Sequence, residues 1–112
     1  MLEKILFDYL NENLTVPAVL EKPAPLPNSF VVIERTGGSM SNRIESATVT
    51  IQSYGGSMYE AAALNESVKN LMMRSVALPE ISSCELNSNY NYTDLTEKRY
   101  RYQAVFDIVY MI

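Results

Sequence analysis

The sequence predicts an α+β domain: a mainly antiparallel or mixed β-sheet of about five strands with two helices packed on one face, in the order α-β-β-β-α-β-β. Apolar residues recur at helical spacing in two separated stretches, and alternating runs rich in β-branched and aromatic residues fill the intervals. That order, with no internal repeat, puts the helices on one side of a largely antiparallel sheet.

The first helix is expected over Leu2 to Asn13. Leu2, Ile5, Leu6, Tyr9 and Leu10 form one apolar stripe, Glu3, Lys4, Asp8 and Asn11 take the opposite face, and Thr15-Val-Pro17 disfavours continuation. Val16 to Glu21 follows as a short strand. Pro17 lacks a ladder donor, which places this strand at a sheet edge. Pro23, Pro25 and Pro27 alternate through Lys22 to Asn28 and make a stiff, extended surface crossover.

Phe30 to Thr36 and Ile44 to Tyr54 read as two strands, with Ala47, Val49, Ile51 and Ser53 sharing one face of the second. Between them Gly37 to Arg43 is longer than a two-residue turn and is expected to project as a flexible hairpin loop. Ser57-Met-Tyr-Glu60 has the form of a capping box. The helix it opens carries Ala61, Leu64, Val68, Leu71 and Met72 on its apolar stripe, leaves Glu60, Asn65, Glu66, Lys69 and Asn70 elsewhere, and is stopped by Pro79. Ile81 to Leu86 is the next strand, and Asn87 to Asp94 an Asn- and Tyr-rich turn. Arg99 to Tyr110 closes the fold. There Tyr100, Tyr102, Ala104, Phe106, Ile108 and Tyr110 face one way, and Arg99, Arg101, Gln103, Val105, Asp107 and Val109 the other.

Composition narrows the chemistry. The 112 residues point to one domain, with a formal net charge of -4, a single cysteine and no histidine. Cys84 has no partner for an intramolecular disulfide and no histidine to activate it, so it reads as core. No apolar run reaches the ~20 residues that span a bilayer, and Glu3, Lys4 and Asp8 interrupt the stretch where a secretory signal would need an apolar core. Asp94 and Glu97 are solvated loop carboxylates with nothing nearby to raise a pKa. Neither Gly37-Gly38 nor Gly55-Gly56 fits a phosphate-binding fingerprint. No catalysis, cofactor or metal is expected. Nucleic-acid binding is opposed by a pI near 4.7. Its one foothold is Lys98-Arg-Tyr-Arg-Tyr102, whose arginines and tyrosines fall on opposite faces of a strand, whereas a single-strand platform needs rings and cations together.

Eight tyrosines, no tryptophan and Met40 in the projecting loop suit protein contacts. At this point the residues resemble a family. Phe30-Val-Val-Ile-Glu-Arg-Thr-Gly-Gly38 after the Pro-rich Glu21-Lys-Pro23 crossover is similar to the small tail-terminator (tail-completion) proteins of long-tailed phages and prophages, often labelled minor capsid proteins. Ala47 to Tyr54 leading into a helix with Glu60-Ala61-Ala62, the Tyr92-Thr-Asp94 turn and the closing Arg99-Tyr-Arg-Tyr102 strand extend the likeness over nearly the whole chain. The Asn-rich 87–91 stretch departs from the pattern.

The resemblance implies a ring, commonly a hexamer, at the head-proximal end of the tail tube. Its partners would be further copies of itself, the major tail tube protein and the head-completion or neck protein, with DNA only as passing cargo and no membrane. It would sit at the tail–neck junction of the virion, after assembly in the bacterial cytoplasm. Expected contact residues are Gly37, Gly38, Met40, Asn42 and Arg43 in the loop, and Tyr90, Tyr92 and Asp94 in the turn. Arg35, Arg99 and Arg101 are expected as charge partners for a neighbouring subunit. The alternatives are a head-completion adaptor of the same virion and a small nucleic-acid-binding module.

Overall fold

The computed structural model describes residues 1–96 and 99–111. Helix α1 (Leu2–Asn13) is followed by strands β1 (Ala18–Val19), β2 (Phe30–Ser41) and β3 (Ile44–Gly55), helix α2 (Met58–Met73), a one-turn 3-10 helix (Ser75–Ala77), and strands β4 (Ile81–Asn91) and β5 (Tyr100–Met111). The strands form one sheet in the order β1-β2-β3-β5-β4, antiparallel throughout except for the β1–β2 pair. The predicted α+β class and element order are therefore observed.

Both helices cover the same face. Leu2, Leu6 and Leu10 of α1 and Val68, Leu71 and Met72 of α2 join Val31, Ile33, Val49, Ile51, Ala104, Phe106 and Ile108 of the sheet in one buried cluster. Ala47, Val49, Ile51 and Ser53 are all buried beneath them, as the alternation predicts. Cys84 lies in this core, and burial pushes its thiol pKa up. Asn65 is a difference: expected off the apolar stripe, it is 2% exposed, and its amide donates to Asn89 Oδ1 at 2.9 Å. A hydrogen-bond partner on β4 lets a polar side chain sit under the helix.

The ends of α2 follow the sequence signals with one shift. Ser57 Oγ accepts from Glu60 N at 3.1 Å, while the Glu60 carboxylate reaches the N–H of Gly56 at 2.9 Å, one residue before the cap. The helix ends at Met73, before Pro79 acts, where Ser75 Oγ donates to the Met72 carbonyl at 2.6 Å and the chain tightens into the 3-10 turn. Gly55 is needed here for closeness. A Cβ on it would lie 2.5 Å from the backbone nitrogen of Ala61.

Three connections differ from expectation. The Val16 to Glu21 strand shrinks to Ala18–Val19, and Asn11 of α1 occupies both outward backbone groups of Ala18. Its Nδ2 donates to the Ala18 carbonyl at 2.9 Å and its Oδ1 accepts from the Ala18 N–H at 3.0 Å. A helix side chain thus closes the strand edge that Pro17 already weakens.

The projecting loop at Gly37 to Arg43 is instead ladder. β2 and β3 pair from Phe30↔Tyr54 to Ser41↔Ile44, with one irregularity between Arg35 and Gly37. The turn is only Asn42 and Arg43, at φ 52° and 66°. Two consecutive left-handed residues make the turn whose twist matches a hairpin. Asparagine tolerates that region readily, and the bulge at Thr36 absorbs the odd residue.

The Asn87 to Asp94 turn is likewise mostly strand. β4 continues to Asn91, and the reversal falls after it, closed by an Asp94↔Arg99 bridge. The polar residues pair across the sheet rather than turning: Asn87 donates to Asp107 Oδ2 at 2.9 Å, and Gln103 donates to the Tyr90 hydroxyl. The 12-residue strands give the molecule its long axis, with extents of 44 × 24 × 24 Å.

Candidate functional site

The sheet ends laterally in two different ways. On one side β1 shields only the start of β2, pairing with Val31 and Val32, and Asn11 seals β1 in turn. Beyond that, β2 from Glu34 to Ser41 has no strand on its outer side among the described residues, and Thr36 to Ser41 are exposed. On the other side β4 has no strand along its outer margin among the described residues, with a bulge near Ser82 and another near Asn87. Bulges and short covers are the usual means by which edges resist indiscriminate pairing. The two bare stretches are level with each other across the sheet: Gly37, Thr48, Asp107 and Glu85 form one row, and Glu34, Thr50, Val105 and Ser88 another. Because β2 opposes β3, β3 opposes β5 and β5 opposes β4, strands β2 and β4 run in opposite directions.

Gly37, Gly38, Met40, Asn42 and Arg43 all lie on the distal arm of the hairpin. Met40, opposite Glu45 on the helix-bearing side, is 64% exposed, and Ile44 and Met111, a register pair on the other face, are also exposed. The two glycines do different things. Gly37 has open space where a Cβ would go, but on Gly38 a Cβ would meet the Ser46 carbonyl oxygen at 2.7 Å and Arg35 Nη2 at 2.6 Å.

Arg35 is engaged within the chain. Its Nη1 donates to the Tyr110 hydroxyl at 2.8 Å and its Nη2 lies 3.2 Å from Glu45 Oε2, while Tyr110 donates to the same carboxylate. The register explains the meeting: Arg35 faces Val49, and Glu45 faces Tyr110, on the helix-bearing side. The hydrogen bond from Tyr110, aided by Arg35, holds the Glu45 carboxyl below its ordinary pKa, and burial followed by the Glu45 contact pushes Tyr110 up.

At the opposite end of the strands, on the helix-free face, cations and rings converge. Phe30 and Tyr54, a β2–β3 register pair, stack with centroids 4.5 Å apart and are buried. Lys22 Nζ lies 5.6 Å from the Tyr54 centroid, and the Arg99 guanidinium 5.6 Å from Tyr54 and 5.9 Å from Phe30. Arg101 sits 4.4 Å from the Tyr92 centroid, donates to the Tyr54 hydroxyl at 2.9 Å and to the Tyr92 carbonyl at 2.6 Å. Tyr90 meets Tyr92 edge-on at 5.9 Å. Tyr100 and Tyr102 alternate with Arg101 as expected. The rings that accompany the arginines come from other elements, Phe30, Tyr54 and Tyr92, which no reading of one strand reveals.

Arg99, Arg101, Tyr90 and Tyr92 are therefore brought together, whereas Arg35 and the hairpin residues belong to the other end. Asp94 caps the turn, accepting from Thr96 N at 2.9 Å. Glu97, read with Asp94 as a solvated loop carboxylate, and Lys98 of the basic run lie outside the described residues. Lys22, Phe30, Tyr54, Glu45 and Tyr110 were not singled out by sequence, because only the sheet register makes them neighbours. Among the described residues, no cluster of three or more His, Cys, Asp or Glu is placed to hold a metal ion, and no helix is long and apolar enough to cross a membrane. No family model and no curated protein sequence matches the chain.

Proposed function

We propose that this chain is a structural protein that closes the head-proximal end of a phage tail tube as a ring of identical copies, ending tube polymerisation and offering a surface to the neck of the head. Its expected partners are other copies of itself, the tail tube protein and the neck protein, with DNA passing through. Nothing is turned over in this role.

The observation that carries the reading is the pair of bare sheet margins. They lie on opposite sides of one sheet, at the same level, and run in opposite directions. A neighbour placed beside the first in the same orientation would therefore join its β4 to the first copy's β2 in antiparallel register, the stronger of the two pairings. Such a head-to-tail contact uses two different surfaces, so it closes into a ring when its rotation divides a full turn. The exposed hairpin tip, with Met40, Ile44 and Met111, supplies an apolar projection suited to a second partner.

A phage assembly assay tests the role. Loss of the protein should give overlong tails that fail to join heads, and tails of normal length in its absence would end the reading.

A further inference from the structure

We propose that the end of the helix-free face where Lys22, Arg99 and Arg101 converge is a docking site for a carboxylate-rich segment of a protein partner. It lies away from the hairpin tip and the level pair of bare margins, and it stands whether or not the chain ends a tail tube.

The chain carries 9 Lys and Arg against 13 Asp and Glu, yet three of those cations share the surroundings of one ring, Tyr54. Among the described residues the ion pairs are Lys4–Asp8, Arg35–Glu45 and Lys69–Glu66, so none of Lys22, Arg99 and Arg101 is paired with a described carboxylate. Gathering three like charges without a counter-ion is unfavourable unless something offsets it. The rings offset part, through attraction to their faces. They leave donors of Arg99 unused, whereas Arg101 spends two of its own on the Tyr54 hydroxyl and the Tyr92 carbonyl. Arg99 Nε and Nη2 are withdrawn from water and find no acceptor among the described residues. A desolvated guanidinium edge without an acceptor costs more than a satisfied one gains, and the half-buried Arg99 side chain can relieve that cost by swinging outward to hold a partner's carboxylate with two parallel N–H donors.

The same geometry argues against a nucleic-acid strand. Phe30 and Tyr54 are buried beneath the cations, and Tyr92, though 44% exposed, already has Arg101 against its ring and Tyr90 edge-on to it, so no row of open ring faces is offered to successive bases. Further along the same face Glu34, Glu85 and Asp107 would repel a phosphate backbone. Carboxylates on a short acidic peptide need only the cationic end.

Fluorescence anisotropy with a labelled oligoglutamate peptide tests the site on the intact chain. The variant Lys22→Gln/Arg99→Gln should bind about tenfold more weakly, in line with the loss of charge-assisted bonds. Lys4→Gln/Lys69→Gln removes the same charge elsewhere and should stay within about twofold of wild type. Circular dichroism confirms that each variant is folded. Backbone NMR of the unaltered protein gives a second reading, in which peptide should shift the amides of Tyr92, Arg99 and Arg101. Absent binding, equal weakening in both variants, shifts elsewhere, or an oligothymidine that outcompetes the peptide would each overturn the proposal. None of these outcomes bears on tail length, so this site and the ring stand or fall separately.

Discussion

Arg35, Glu45 and Tyr110 come from three strands and share one carboxylate oxygen at the edge of the core. Glu45 has a folded pKa below its unfolded value, so its contribution is complete above the ordinary glutamate range and is lost as pH falls through the depressed value. Tyr110 has a raised folded pKa; its contribution holds below the ordinary tyrosine value and disappears as pH rises through the higher one. Urea midpoints measured across pH should therefore fall on both sides, and Glu45→Gln should flatten the acid limb. An acid limb unchanged by that substitution would mean the cluster contributes nothing to the pH dependence. The paired glycines make a second residue-scale contrast. Gly38→Ala pushes a Cβ into a backbone carbonyl and should cost about 1–3 kcal/mol, whereas Gly37→Ala meets open space and should be neutral or stabilise by up to about 1 kcal/mol. Denaturant melts of the two variants check this directly.

The hairpin and the capped helix carry the tests at the level of elements. Arg43 stands at φ 66°, where a side chain costs about 1 kcal/mol relative to glycine. Arg43→Gly creates the Asn-Gly pair that this turn favours and should raise the thermal midpoint. A fall would show that Arg43 makes a compensating contact. Ser57→Ala removes the acceptor for Glu60 N and should cost about 1 kcal/mol of stability.

These elements also show what could be read in advance. Both helices were legible because their apolar residues fall at helical spacing, and β5 because it alternates without interruption. The distal half of β2 and most of Asn87 to Asn91 were not, since glycine, serine and asparagine carry no alternating apolar signal. Pairing with β3 and β5 supplies their order from outside the segment. The cation–ring cluster was half legible. Arg99, Arg101, Tyr90 and Tyr92 could be named singly, but Lys22, Phe30 and Tyr54 join them only through a register that sequence does not state.

On the scale of the molecule, the proposed ring rests on the two bare margins. A lysine placed at Ser39 on β2 or at Ser83 on β4 adds charge to an edge that must be desolvated in a strand-to-strand contact. Either should abolish oligomers seen by light scattering while leaving the monomer's circular dichroism intact, and an unaltered mass for both would place the contact elsewhere. Mixing the two variants is more telling. If β2 of one copy meets β4 of the next, each variant keeps one competent margin, and an equimolar mixture should recover heterodimers but nothing larger.

If copies join through β2 and β4 as proposed, each margin needs the other kind. A margin that needs its opposite is never used up by joining two molecules, since the pair still shows one of each. Arithmetic, not affinity, then forbids a stopping point short of a closed circle: every open arc of copies is as hungry at its ends as a single copy was. In the proposed ring, the final number follows from the angle at which one sheet leans on the next.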